Sequence, residues 1–159
     1  NLMGPLLNPA RPTHQLLGVP TARHVPLMAE VLALTGLSCG AVVHGAGGFD
    51  ELTPFGPADV CWVKDGWLKK DRIDPTTLGV AEGKLGDVVV SGRDEAVAVL
   101  KGVLAGKGTQ AMLDMVALNL GCALHLLEGD LTLKQGVAKA RDAIAQGAAA
   151  AFFKDVFHA

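Results

Sequence analysis

Apolar and polar residues follow two rhythms along this chain. Short apolar runs separated by turn residues occupy its first part, and from Asp94 onward apolar positions recur at helical spacing. Residues 1–13 hold Gly4, Pro5, Asn8, Pro9 and Pro12, a density of breakers that predicts an irregular, rigid loop. His14 to Val19 (HQLLGV) reads as a strand. Thr21 is placed to cap the helix that follows, with Pro26 near its first turn. Leu27, Met28, Val31, Leu32 and Leu34 predict a mostly buried helix, and Gly36 ends it. Cys39 to Val43 is the next strand. Strand, helix and strand within about 30 residues make a βαβ unit, whose two strands should be parallel.

Ala58 to Ile73 reads as a β-hairpin in which ADVCWV and WLKKDRI flank Lys64-Asp65-Gly66. Neither face of the second strand is apolar, which predicts an edge position. Residues 74–92 are rich in loop formers, with room for a short strand at Asp87–Val90. Asp94–Leu104 carries Val97, Leu100, Val103 and Leu104 at helical spacing. Thr109 is placed to cap a helix with the stripe Leu113, Val116, Ala117, Leu120, Leu124 and Leu127. Thr132 with Gln135 predicts a capping box for a third helix that stops near Gly147, and Ala148–Phe157 forms a short last one. No internal repeat or linker interrupts the pattern. The expectation is one α/β domain over 1–159, with a parallel or mixed sheet, a βαβ unit, a hairpin and C-terminal helices.

Composition sharpens this picture. With 159 residues and 50% hydrophobic residues the chain can bury a sizeable core. The net charge is −2, so nothing basic suggests nucleic acid as a main partner. No run of about 18 consecutive apolar residues predicts a membrane span, and no signal-peptide pattern is present. Cys39, Cys61 and Cys122 are far apart and lack zinc-type spacing, so they read as buried free thiols in a reducing, cytoplasmic setting. The chain opens on Asn1 rather than Met, already inside an apolar phrase, which suggests a piece of a longer protein.

The stretch that asks for chemistry is 44-HGAGGFDELT-53, directly after Ala41-Val42-Val43. It leaves the carboxyl end of a strand, the edge where open α/β sheets bind ligands. Gly45, Gly47 and Gly48 let the backbone turn sharply ahead of Asp50 and Glu51. Two readings fit. One is a glycine turn with two solvated acids; the other is a magnesium site, since that ion takes one or two carboxylates, keeps waters and accepts substrate phosphate oxygens. The stretch matches neither a P-loop nor the dinucleotide-binding fingerprint.

Other polar residues read as structural. His44 looks like a strand-end histidine bonded to backbone, His125 like a packed helix residue, and His14 the start of a strand. Asn119, among apolar residues on a core helix, should bond a neighbouring loop. Trp62 and Trp67 should pack at the hairpin, and Lys69-Lys70 should be solvated.

Two phrases together resemble the anthranilate phosphoribosyltransferase family. One is Asn1-Leu2-Met3-Gly4-Pro5-Leu6-Leu7-Asn8-Pro9-Ala10 leading into His14-Gln15-Leu16-Leu17-Gly18-Val19; the other is His44-Gly45-Ala46-Gly47-Gly48-Phe49-Asp50-Glu51. The resemblance runs over the whole chain and implies the C-terminal half of that family's length. It implies transfer of the phosphoribosyl group of phosphoribosyl pyrophosphate (PRPP) to anthranilate, with loss of pyrophosphate, in tryptophan biosynthesis. It also implies magnesium, a nucleoside phosphorylase-like α/β domain beside a small helical one, and a homodimer formed through the helical one.

Carried over, Asp50 and Glu51 match the acidic pair that binds magnesium with the pyrophosphate. Gly4 and Pro5 match positions lining the anthranilate tunnel, and Asn1 matches a motif asparagine of unassigned role. No residue matches a general acid or base. The family's GTGGD loop, its KHGN-type segment, its anthranilate-binding arginine and its helical domain would all lie upstream of Asn1, so this chain alone should be inactive. A pyrimidine nucleoside phosphorylase relative is a second enzyme reading, against which the HGAGGFDE phrase speaks. A nucleic-acid-binding relative would want a basic face, and an inert fragment kept soluble by its core is a further alternative.

Overall fold

The computed structural model describes residues 4–157; Asn1 and His158 lie outside them. A 3-10 turn, Gly4–Leu7, opens the described chain. β1 (His14–Gly18), α1 (His24–Leu34) and β2 (Cys39–His44) form the expected βαβ unit, with β1 and β2 parallel in the register Leu16 to Ala41. β3 (Ala58–Lys64) and β4 (Trp67–Ile73) form the hairpin, joined through Asp65 and Gly66, both at positive φ as a tight two-residue turn requires. The sheet order is β1-β2-β3-β4, with antiparallel pairing after β2. The sheet is therefore mixed.

Both faces of β2 and β3 are buried, which is why they read as continuous apolar runs. Ala41, Val43, Ala58 and Val60 face one cluster; Val42, Cys61 and Val63, one residue out of step, face the other. α1 covers the second face with Val25, Met28, Ala29 and Leu32. This corrects the expectation of a mostly buried α1: Leu34 is 88% exposed and Leu27 52%. A surface helix needs only one apolar stripe. Thr21 does not cap α1 through its side chain; its hydroxyl pairs with the His24 ring at 2.8 Å, and its carbonyl accepts from the His24 N–H.

The opposite face is covered by α3 (Gln110–Leu127) and α4 (Leu133–Ala145); α2 (Arg93–Leu104) and α5 (Ala148–Phe157) flank them. Thr109 caps α3 as expected, and Thr132 with Gln135 forms the capping box of α4. The buried face of α3 is rotated from the predicted stripe. It consists of Ala111, Asp114, Ala117, Leu118, Gly121, Cys122 and Leu126, while Val116, Leu120 and Leu127 are exposed.

Two features cause the rotation. Gly121 and Gly136 bring α3 and α4 together so closely that a Cβ on Gly121 would stand 2.5 Å from the Val137 backbone. Asp114, 1% exposed, accepts from Arg141 Nε at 3.0 Å, and Arg141 also donates to the Gly79 carbonyl at 2.7 Å. A buried carboxylate is tolerable when paired and hydrogen-bonded in this way. The 18 residues of α3 have the length and apolarity of a bilayer span, but they pack as a core helix around this ion pair.

No strand forms at Asp87–Val90. A 3-10 turn, Leu85–Val88, takes its place, because the Asp87 carboxylate bonds back to the Lys84 N–H at 2.9 Å. Such local side-chain bonds compete with extended structure. β4 is the edge strand expected, with all but Ile73 exposed.

Candidate functional site

The acidic loop leaves the C-terminal end of β2, beside the end of parallel β1. Its shape is set by close backbone contact. Gly45 N–H donates to the Phe49 carbonyl at 2.8 Å, closing the turn through Gly47 and Gly48 at φ +83° and +81°. Thr53 donates its hydroxyl to the Ala46 carbonyl at 3.0 Å, and the Phe49 and Phe55 rings stand 5.6 Å apart.

The loop then folds back over the strand ends. A Cβ on Gly18 would stand 1.6 Å from the Asp50 carbonyl oxygen, and one on Gly45 would stand 1.9 Å from that of Glu51. Only glycine admits such an approach. The role of Gly18 escapes a reading of the sequence, although its place at the end of an apolar run is a signal for close backbone approach. The next residue, Leu52, is buried and held at both backbone atoms by Asn119: its N–H donates to Oδ1 at 2.9 Å and its carbonyl accepts from Nδ2 at 2.8 Å.

Asp50 and Glu51 are both exposed, and neither joins an ion pair among the described residues. They stand on the rim of a cavity of about 760 Å³. Gly18, Val43 and Asn119 line it together with Leu100 and Val103 of α2 and Met115 of α3. The result is an apolar hollow with two carboxylates at its mouth, at the C-terminal edge of the parallel strands. No group of three or more His, Cys, Asp or Glu converges as a metal cage among the described residues. A pair of free carboxylates fits instead a hard cation that keeps part of its water and shares substrate oxygens.

Gly4 and Pro5 are not brought to this cavity. Gly4 is exposed in the first 3-10 turn, and Pro5 lines a separate cleft of about 450 Å³ with Leu6, Gln15 and Thr35. The Pro5 carbonyl accepts from the Gln15 amide at 3.3 Å. Asn1 lies outside the described residues.

The remaining candidates behave as structural groups. His44 Nδ1 is 2.9 Å from the Val19 carbonyl, and His125 bonds the Leu131 carbonyl while standing edge-on to Trp62. Trp62 also donates its indole N–H to Asp71 at 3.1 Å. Trp67, expected to pack, is 82% exposed. All three cysteines are free, Cys61 and Cys122 buried and Cys39 half-buried. Burial raises each of their thiols, and pushes Cys122 to about 12. None is a thiolate nucleophile at neutral pH.

Residues 1–150 match the model of the glycosyl transferase family, a/b domain. The anthranilate phosphoribosyltransferase of Nitratidesulfovibrio vulgaris (strain DSM 19637 / Miyazaki F) is 51% identical over 153 residues, which is 93% of this chain and 45% of that protein. The anthranilate phosphoribosyltransferase structure from Thermus thermophilus superposes with a TM-score of 0.84 at 33% identity, over 97% of this chain and 45% of that one. That of Saccharomyces cerevisiae, in complex with PRPP and Mg, superposes at 0.79 and 29% identity over 92% and 43%. The chain thus spans just under half the length of the relatives it matches.

Proposed function

The chain belongs to the glycosyl transferase family, a/b domain, and from that membership we propose that it is the C-terminal part of the α/β domain of an anthranilate phosphoribosyltransferase. The reaction moves the phosphoribosyl group of PRPP onto the amine of anthranilate and releases pyrophosphate. The amine nitrogen forms a bond to the anomeric carbon, the carbon–oxygen bond to pyrophosphate breaks, and the amine gives up a proton.

The observation that carries this reading is the free acidic pair. Asp50 and Glu51 would hold magnesium through their carboxylates, with pyrophosphate oxygens and water completing its shell. When bound, the ion supplies neutralising charge to the leaving group. The neighbouring backbone keeps the pair in place, since Gly18 and Gly45 seat the carbonyls of Asp50 and Glu51 on the strand ends. An aromatic amine is uncharged at neutral pH, so such a site asks for positioning and electrostatics more than for a strong base.

Gly4 and Pro5 are proposed to line the anthranilate side, apart from the diphosphate end. The reading includes a cytoplasmic location, a homodimer built on a helical domain outside this chain, and no activity from the chain alone.

The test is Asp50→Asn with Glu51→Gln in the complete enzyme. Magnesium-dependent turnover should fall on the order of 100-fold or more. Unchanged turnover would remove the acidic pair, and with it this reading.

A further inference from the structure

We infer that Asn119 is a positioning residue for the acidic pair: from the middle of α3 its carboxamide fixes Leu52, and through Leu52 it sets where Asp50 and Glu51 stand at the cavity rim. The inference rests on the metal-binding reading of those two acids.

The Asn119 amide uses its whole polar end. Oδ1 accepts the Leu52 N–H at 2.9 Å; Nδ2 donates to the Leu52 carbonyl at 2.8 Å and to the Met115 carbonyl, one turn back on α3, at 2.9 Å. The orientation is unambiguous, because a flipped amide would set its NH2 against the Leu52 N–H and its oxygen against two carbonyls. Leu52 is thereby paired at both backbone atoms by one side chain, as a neighbouring strand would pair it.

The acids need such a hold. The turn before them passes through Gly47 and Gly48, and a Cβ on Gly48 would meet nothing within 4 Å. On that side the turn is closed by backbone, through the Gly45 N–H donated to the Phe49 carbonyl at 2.8 Å. On the other side, Leu52 follows Glu51 directly and is the first residue tied to a helix. Asn119 lines the same cavity as Asp50 and Glu51, so the hold and the carboxylates share one space. α3 itself is anchored by the Asp114–Arg141 pair and by its close crossing with α4.

A purely stabilising amide and a positioning amide make different predictions. The experiment follows paramagnetic broadening of the Asp50 and Glu51 amide signals as Mn2+ is added to the complete enzyme with inorganic pyrophosphate, well below every melting temperature. Asn119→Leu keeps the volume and removes the polar end. Leu126→Ala, further along α3 on its core face, is the control that destabilises without touching the loop. Asp50→Asn with Glu51→Gln marks the loss of the site.

Asn119→Leu should weaken the Mn2+ effect about tenfold or more, the low end of what loss of outer-shell support to a metal site costs, while Leu126→Ala leaves it unchanged. If Asn119→Leu does not fold, Asn119→Ser takes its place under the same criterion. An Asn119 variant that binds Mn2+ like the Leu126→Ala control overturns the inference and leaves the acidic site standing. Broadening that is absent from the unaltered protein, or that persists in the Asp50/Glu51 variant, removes the metal reading itself, and the inference with it.

Discussion

The two helical walls of the cavity are made of similar residues and behave differently. α3 and α2 both carry valine and leucine at helical spacing. α3 buries seven residues, and α2 buries none. The difference lies in what each helix meets. α3 crosses α4 at glycine-to-glycine distance and closes a buried ion pair. α2 presents Val97 and Leu100 to the open, Leu100 at 56% exposure. Apolar spacing predicts that a helix forms; the partner decides whether its face is buried. The wall that holds the acidic loop, through Asn119, is the tightly packed one.

That contrast can be broken most severely at the crossing. Gly121→Ala should destabilise the chain by about 3 kcal/mol, the upper range for overpacking, because its Cβ would meet the Val137 backbone at 2.5 Å rather than a flexible side chain. Urea unfolding monitored by circular dichroism would give the value, and a loss under about 1 kcal/mol would show that α3 and α4 slide apart easily.

A second effect, smaller for each pH unit crossed, should appear only in alkali. Burial raises the Cys122 thiol on α3 from 9.0 to about 12. A group whose folded pKa is raised stabilises fully below its unfolded value and loses that contribution as pH climbs toward the folded one. Stability should therefore fall from pH 9 toward 12, with Cys122 contributing about 1.4 kcal/mol per pH unit. Cys122→Ala should flatten that slope; an unaltered slope in the variant would mean that the thiol ionises freely in the fold. The smallest effect belongs to the other wall. Leu100→Ser on α2 should change unfolding free energy by no more than about 0.5 kcal/mol, and a larger loss would show that α2 is packed after all.

Much of the fold is legible in the sequence because local rules decide it. Asp65-Gly66 set the hairpin, Thr132 with Gln135 starts α4, and the double-sided burial of β2 follows from its unbroken apolar run. The missed elements are those decided at a distance. Asp87 caps its own turn instead of entering a strand. Asp114, which with Thr53 makes up the buried polar residues among those described, rotates the inner face of α3 because Arg141, on another helix, reaches it. The place of Asp50 and Glu51 beyond a strand end is legible in the glycine turn before them, whereas their magnesium role comes from the family resemblance; a bond from Asn119 to some loop is legible too. Which loop, and the seating of the acids on Gly18 and Gly45, depended on how the chain folds back on itself.

The charged hairpin strand has a consequence for the sheet as a whole. Lys69, Lys70, Asp71 and Arg72 place ionised groups on both faces of β4, so an incoming strand would have to strip their hydration before it could pair. β1, at the opposite margin, ends in apolar Leu16 and Leu17 with Gly18 and pairs, among the described residues, with β2 alone. Lateral growth of the sheet is thus barred at the β4 margin, which gives the layer a direction.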